Sequence, residues 1–162
     1  MKVLTIERLA AGAGNRFRAI RLRSLRDAPD AFATTYEEAA TWASDNWDRQ
    51  LEQFPTFVAS ADGVDWGTVR GALHDGVPGT GYLISMWVAP EGRRLGIGSA
   101  LVDAVVAWAR TQGLQRLLLD VSAENTSAIA FYAARGFRPT GEAGTLPPPR
   151  QHMREIQLCL TL

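Results

Sequence analysis

The stretch that most restricts the fold spans residues 79–122, where the apolar period changes twice. "GTGYLISMWVAP" is an apolar run of strand length, stopped by Pro90. Over residues 99–112, Leu101, Val102, Val105, Trp108 and Ala109 recur at helical spacing and make one apolar face. Gly113 follows, where a left-handed C-terminal residue is wanted. "LQRLLLDVS" then reads as a second buried strand. Between the first strand and the helix stand Arg93, Arg94, Leu95, Gly96, Ile97 and Gly98. Any fold for this chain must seat a strand, a glycine turn, a helix and another strand in that order.

The flanking sequence supplies more of both element types. "KVLTIERLA" alternates as a strand, and residues 15–26 read as a helix ended before Pro29. "TYEEAATWASDNWDRQLEQF" is a second, broken helical region. "TFVASADG" and "WGTVRGALHD" form a hairpin through Asp62-Gly63. "NTSAIAFYAAR" is a helix ended by Gly136, and "FRPTG" and "REIQLCLTL" are closing strands around a proline-rich loop. The order is β-α-α-β-β-β-α-β-α-β-β. It excludes a doubly wound parallel sheet and predicts an α+β fold: one mostly antiparallel sheet of about seven strands with helices on both faces. All 162 residues fit one domain, 1–162.

The glycine turn was compared with two phosphate-binding patterns. A dinucleotide fingerprint needs a third glycine where Leu101 stands, and Asp120 is too far along to serve as its acidic partner. A P-loop needs a lysine, and Gly98 is followed by Ser99 and Ala100. What remains is an anion site at a helix start: unpaired N–H groups, glycines without a Cβ, and the charges of Arg93 and Arg94. The competing reading is an ordinary strand–helix turn with flexible glycines.

Composition narrows the classes. Seventeen basic residues balance seventeen acidic ones, so bulk nucleic-acid binding is not expected. The run "RFRAIRLRSLR" reads as the wet face of a helix. One cysteine and two histidines cannot build a disulfide framework or a four-ligand zinc site, so no metal is expected. With no long apolar run and no signal-peptide layout, the expectation is a cytoplasmic protein without membrane contact.

R-x-x-G-x-G ahead of an amphipathic helix, carried by Arg93, Gly96 and Gly98, resembles the acyl-CoA motif of the GNAT superfamily of N-acetyltransferases. A second block, "LLLDVSAENTSAIAFYAARGF", resembles the family's strand, Asn, helix with Ala and Tyr, then Gly-Phe, here Asn125, Ala128, Tyr132, Gly136 and Phe137. The resemblance covers essentially the whole chain. It implies transfer of an acetyl group from acetyl-CoA to a primary amine of a small molecule or peptide, directly within a ternary complex. It places pyrophosphate at Arg93, Arg94, Leu95, Gly96, Ile97, Gly98 and Ser99, and pantetheine near Asn125 and Ala128. It also places Met86 and Trp87 along the pantetheine arm and the Val88 backbone as the oxyanion donor. The alternative for Trp87 is plain core.

The resemblance makes Tyr132 the proton donor to the departing thiolate, against a reading in which it packs beside Phe131. Asp120, twelve positions earlier, is the candidate base; water and a merely exposed strand-end carboxylate are its competitors. His74 ranks below it, and Cys159 reads as a small buried hydrophobe. Phe32, Tyr36, Trp42 and Trp47 are candidate acceptor liners, opposite the loop "EAGTLPPPRQH". Aromatic residues at helical spacing are equally readable as core. Glu37 and Glu38 could attract an amine or simply face solvent. The alternatives in function are a non-catalytic acyl-CoA-binding module, a protein N-terminal acetyltransferase, or use of a longer acyl-CoA. The last strand could pair across a homodimer.

Overall fold

The central strand segments are near-continuous apolar runs, so they need cover on both faces. The computed structural model describes residues 3–162 and meets that need with a seven-stranded sheet. In chain order the elements are β1 (Thr5–Arg8), α1 (Gly14–Asp27), α2 (Tyr36–Ala40), α3 (Ser44–Gln53), β2 (Thr56–Ala61), β3 (Val64–Leu73), β4 (Thr80–Val88), α4 (Ile97–Thr111), β5 (Arg116–Ser122), α5 (Thr126–Ala134), β6 (Arg138–Thr145) and β7 (Arg154–Thr161). The spatial order is β1-β2-β3-β4-β5-β7-β6. Every pairing is antiparallel except β4 with β5, which the α4 crossover joins in parallel. The mixed α+β fold and its helices on both faces are therefore as the sequence implies.

Three boundaries differ from the sequence reading. The broken helical region is two helices, α2 and α3, because Thr35 caps the first and the chain extends again at Ala43. Helix α4 begins at Ile97 rather than Ser99, so Gly98 lies inside its first turn. Strand β6 runs on to Thr145 past an irregularity between Pro139 and Ala143, which takes four residues from the expected loop.

Two apolar layers hold the sheet. On one face α4 inserts Leu101, Val102 and Val105, all essentially unexposed, against Val69, Leu117 and Leu119. Each such side chain contributes about 1.5–3 kcal/mol on burial. On the other face Phe17, Ile20 and Leu25 of α1 and Trp47 and Leu51 of α3 cover Val58 and Trp87. The start of α1 is fixed from a distance: Asp48 Oδ1 accepts from the N–H groups of Gly12 and Gly14 at 3.1 and 2.9 Å.

Candidate active site

Strands β4 and β5 pair only between Thr80–Tyr82 and Arg116–Leu118. Beyond that the ladder ends, and residues 83–88 and 119–122 face one another across an unpaired gap, the β4–β5 cleft. A register shift opposite Thr68 and Arg70 marks a bulge in β4, and Ser85 there has φ of 58°. Ala89 N–H bonds back to Trp66 of β3, so strand alternation turns the Val88 N–H and C=O the other way, into the cleft. No β5 residue pairs with Val88 in the ladder.

The glycine turn sits at the mouth of this cleft. Gly96 is the N-cap of α4 with φ of 80°, and a Cβ there would meet nothing within 4 Å. Its glycine serves conformation. A Cβ on Gly98 would lie 3.3 Å from two Phe131 ring carbons, so this glycine serves close approach of α4 to α5. No side chain caps α4 and no acidic residue stands in its first turn, which leaves the Ile97, Gly98 and Ser99 N–H groups facing outward for an anion. Only main chain is available from Ile97, whose side chain is core. Leu95 is 68% exposed. Arg94, at φ of 69°, has no ion pair among the described residues. Ser99 is engaged: Arg135 donates to its hydroxyl at 2.8 Å and to Asp103 at 2.8 Å, tying α5 to α4.

Arg93 turns away from the helix start, and Trp87 takes the core alternative given for it. The Arg93 guanidinium donates to Asp27 Oδ2 at 2.8 Å and to the Val88 carbonyl at 3.0 Å, away from the N–H array. Trp87 is 5% exposed, on the α1 side of the sheet, and its indole donates to the same Asp27 oxygen. Met86, one residue earlier, packs on the α4 side, and its methyl lies 3.8 Å from the Gly98 Cβ position. Strand alternation therefore separates the two presumed pantetheine liners.

Asn125 is the N-cap of α5, and its Oδ1 accepts from Ala128 N–H at 3.1 Å. The three-residue spacing read as a ligand face is thus also a capping spacing, with the Asn125 amide nitrogen left outward. Tyr132 is 7% exposed, stacks on Phe131 and meets Phe137 edge-on. The ring belongs to the core, and no side-chain hydrogen bond of its hydroxyl occurs among the described residues. Burial pushes its phenol pKa well above the usual range, so it holds its proton at neutral pH.

Asp120 faces away from the α4 core, since Leu119 and Val121 fill the other side of β5. Burial raises its carboxyl pKa. Register pairs Asp120 with Gln157 and Ser122 with Glu155, which sets Glu155 diagonally beside Asp120 on the same face. Glu155 is raised by burial and by Asp120, and lowered by Arg150. The Tyr82 phenol is raised by burial and then by Asp120. Glu155 escaped the sequence reading because only strand register brings it next to Asp120. His74 is half-buried, stacks on Tyr82 at 5.1 Å and has its Nδ1 2.9 Å from the Asp75 carbonyl oxygen.

On the acceptor side, Tyr36 stands between two cavities of about 550 and 480 Å³. The first is lined by Leu22, Arg26, Asp27 and Trp87, the second by Pro29, Glu37 and Arg150. Trp47 is 1% exposed core, edge-on to Phe17, and Trp42 packs against it. Those two are not liners. Phe32 is buried, and Arg150 donates to the carbonyls of Pro29, Phe32 and Ala33, so the loop before β7 is strapped onto the segment after α1. Glu38 belongs to the capped start of α2, its N–H donating to Thr35. Among the described residues no group of metal-binding side chains occurs, and no helix is long and apolar enough to cross a membrane.

Comparisons with known proteins agree with this fold. An aminoglycoside N(6')-acetyltransferase type 1 of Stenotrophomonas maltophilia is 33% identical over 72% of this chain and 90% of its own length. A mycothiol acetyltransferase of Geodermatophilus obscurus is 31% identical over 70% of this chain, which spans 39% of that protein. In fold, a GNAT-family acetyltransferase of Streptococcus pneumoniae matches with a TM-score of 0.82 at 18% identity, covering 99% of this chain and 100% of that one. An acetyltransferase of Salmonella typhimurium, solved with its cofactor acetyl-CoA, matches with a TM-score of 0.79 at 19% identity, covering 99% and 94%. The family model described as the acetyltransferase (GNAT) family matches residues 21–137, and the chain belongs to that family.

Proposed function

We propose that this acetyltransferase moves an acetyl group from acetyl-CoA to the primary amine of a small molecule by direct transfer. The observation that carries the reading is the pairing of an uncapped α4 start with the parted β4 and β5 strands. The first suits a pyrophosphate; the second offers an extended arm an open strand edge. When bound, acetyl-CoA supplies a thioester carbonyl.

The chain's own residues then have separate tasks. The Ile97, Gly98 and Ser99 N–H groups hold the anion, with Arg94 nearby. The Val88 N–H faces where a carbonyl oxygen would gain charge. Asp120, with Glu155 beside it, draws in the acceptor ammonium and takes its proton. Tyr132 keeps a proton at its hydroxyl for the thiolate that leaves. Arg93 is a positioning residue, since it acts through Asp27 and the Val88 carbonyl. A small acceptor is supported by the length match to the aminoglycoside enzyme, a relative of nearly the same span.

The test measures thiol release from acetyl-CoA across a panel of amines and peptides. Acceptor-dependent release, together with a raised melting temperature in millimolar acetyl-CoA, is the expected result. A temperature shift without release from any acceptor would favour the non-catalytic binding module. Release only with peptides would move the acceptor to a protein N-terminus.

A further inference from the structure

Arg21 is the residue of the basic run that does not face water. It lies on the sheet-facing side of α1, 4% exposed, with its guanidinium 4.5 Å from the centre of the Phe32 ring. Among the described residues it makes no side-chain hydrogen bond or ion pair, and its Nη1 is fully enclosed without a partner. Its neighbour in charge is Arg70 of β3, itself 9% exposed. Arg70 donates to Ser85 Oγ at 3.3 and 3.0 Å and to Gln50 Oε1 at 2.9 Å, all neutral acceptors. Two guanidiniums therefore share one buried layer with no carboxylate bonded to either. Burial, then repulsion from Arg70, lowers the Arg21 pKa to about 9, and burial lowers Arg70 to about 10. A buried charge without a partner is among the costlier things a fold can hold.

The layer touches the cleft. Ser85, which holds Arg70, is the positive-φ residue of the β4 bulge, one position before Met86. Phe32, which lies against Arg21, has its carbonyl held by Arg150 of the loop before β7. Arg150 in turn acts on Glu155, beside Asp120. The arginine pair is thus tied to the β4 bulge through Ser85 and, through Phe32 and Arg150, to the loop before β7.

We propose that Arg21, backed by Arg70, anchors a carboxylate on the amine acceptor, so that the acceptor is an amino acid or another small zwitterionic amine. The inference rests on the acetyl-transfer reading above. A guanidinium presents two parallel N–H groups that match the two oxygens of a carboxylate, and the rings of Phe17, Phe32 and Phe54 stack on the guanidinium faces and leave their N–H edges to a ligand. The acceptor's ammonium then falls to Asp120 and Glu155, opposite in charge.

The experiment uses matched acceptors that differ only in the carboxylate: phenylalanine and phenethylamine, lysine and cadaverine, leucine and isoamylamine, with kanamycin as a carboxylate-free polyamine. Thiol release is followed for the wild-type protein, Arg21→Met and Arg21→Lys. In a productive pair the acid should lead in kcat/KM by about 10- to 100-fold, the preference should vanish in Arg21→Met, and Arg21→Lys should keep part of it. Equal or better turnover of the decarboxylated partners, or a preference that survives Arg21→Met, would overturn the proposal. The second readout needs no turnover: calorimetric binding of the N-acetyl amino acids and of their amides. If no amine releases thiol, the transfer reading fails separately. Acid-selective binding lost in Arg21→Met would then still uphold the carboxylate site, and absence of any binding would overturn it. Melting temperature guards against a merely structural role. Removing an unpaired buried charge should raise it in Arg21→Met, and a fall with unchanged binding would sink the idea.

Discussion

Arg93 and Asp27 are joined across the domain, Nη2 to Oδ2 at 2.8 Å, although sixty-six positions separate them in the chain. Asp27 closes α1, and its Oδ2 also accepts the Trp87 indole N–H at 2.9 Å. One carboxylate therefore pins α1 to the end of β4. Asp27→Ala should cost about 1–3 kcal/mol of stability, because it strands a buried indole N–H and an arginine together. Urea unfolding measures the loss. An unchanged midpoint would show that the contact is not maintained in solution.

The two arginines of the turn should separate in cofactor binding. Arg93 is spent on Asp27, while Arg94 has no ion pair among the described residues. Arg94→Gln keeps the same backbone demand and removes only the charge. Acetyl-CoA dissociation should weaken by about 3- to 10-fold, and added salt should shrink the difference. Arg93→Gln should instead lower stability and turnover with a smaller effect on affinity. Titrations at low and high salt decide, and the reverse order would return Arg93 to the pyrophosphate.

Gly96 and Gly98 should fail for different reasons. Gly96→Ala puts a Cβ on a left-handed residue, at a cost of about 1–2 kcal/mol, with open space around it. It should lower the melting temperature. Gly98→Ala drives a methyl against Phe131 and should shift α4 from α5. Adding Phe131→Leu should restore binding to the Gly98 variant and do nothing for the Gly96 variant. Calorimetry of the four proteins checks this.

The fold was legible because it depends on period and punctuation. The Asp62-Gly63 turn, the 3.6-residue face of α4 and the stop at Pro90 are local signals, and each sits where the sequence implied. The conformation of the glycine turn was legible because backbone geometry and glycine placement are local too. What failed to show was pairing at a distance. Glu155 joins Asp120 only through β5–β7 register. Trp87 left the pantetheine side because a strand shows alternate faces, and the sequence does not say which face is which. Arg21 looked like one more solvated cation, since helical spacing alone does not reveal that α1 turns it toward Arg70.

Tyr132→Phe should leave the fold intact, because the hydroxyl it removes has no hydrogen bond among the described residues while the ring packs on Phe131 and Phe137. As the proton donor it should carry about a 10²-fold share of turnover. Acetyl-CoA affinity should stay within a few-fold. Its raised pKa keeps it protonated, so turnover in the wild-type protein should not fall on the alkaline side until beyond the ordinary phenol range, about pH 10. Steady-state rates with a fixed acceptor test the point, and equal rates for both proteins would leave Tyr132 a core residue only.

Asp120 should oppose stability and serve turnover. Its folded pKa lies above the unfolded value, so the folded state holds the proton more tightly. The contribution to stability is present at low pH and is lost as pH rises through the carboxylate range. Asp120→Asn should therefore melt higher than the wild-type protein at pH 7, and the gap should close below about pH 4. It also relieves Glu155, whose pKa Asp120 raises. In turnover the sign reverses, because an amide cannot accept the amine's proton. The acid limb of kcat/KM in the wild-type protein should lie above the ordinary aspartate value of about 3.9, and Asp120→Asn should abolish or move it. Glu155→Gln should keep the limb and weaken acceptor binding. A Glu155→Gln variant that loses the limb while Asp120→Asn keeps it would transfer the base role to Glu155.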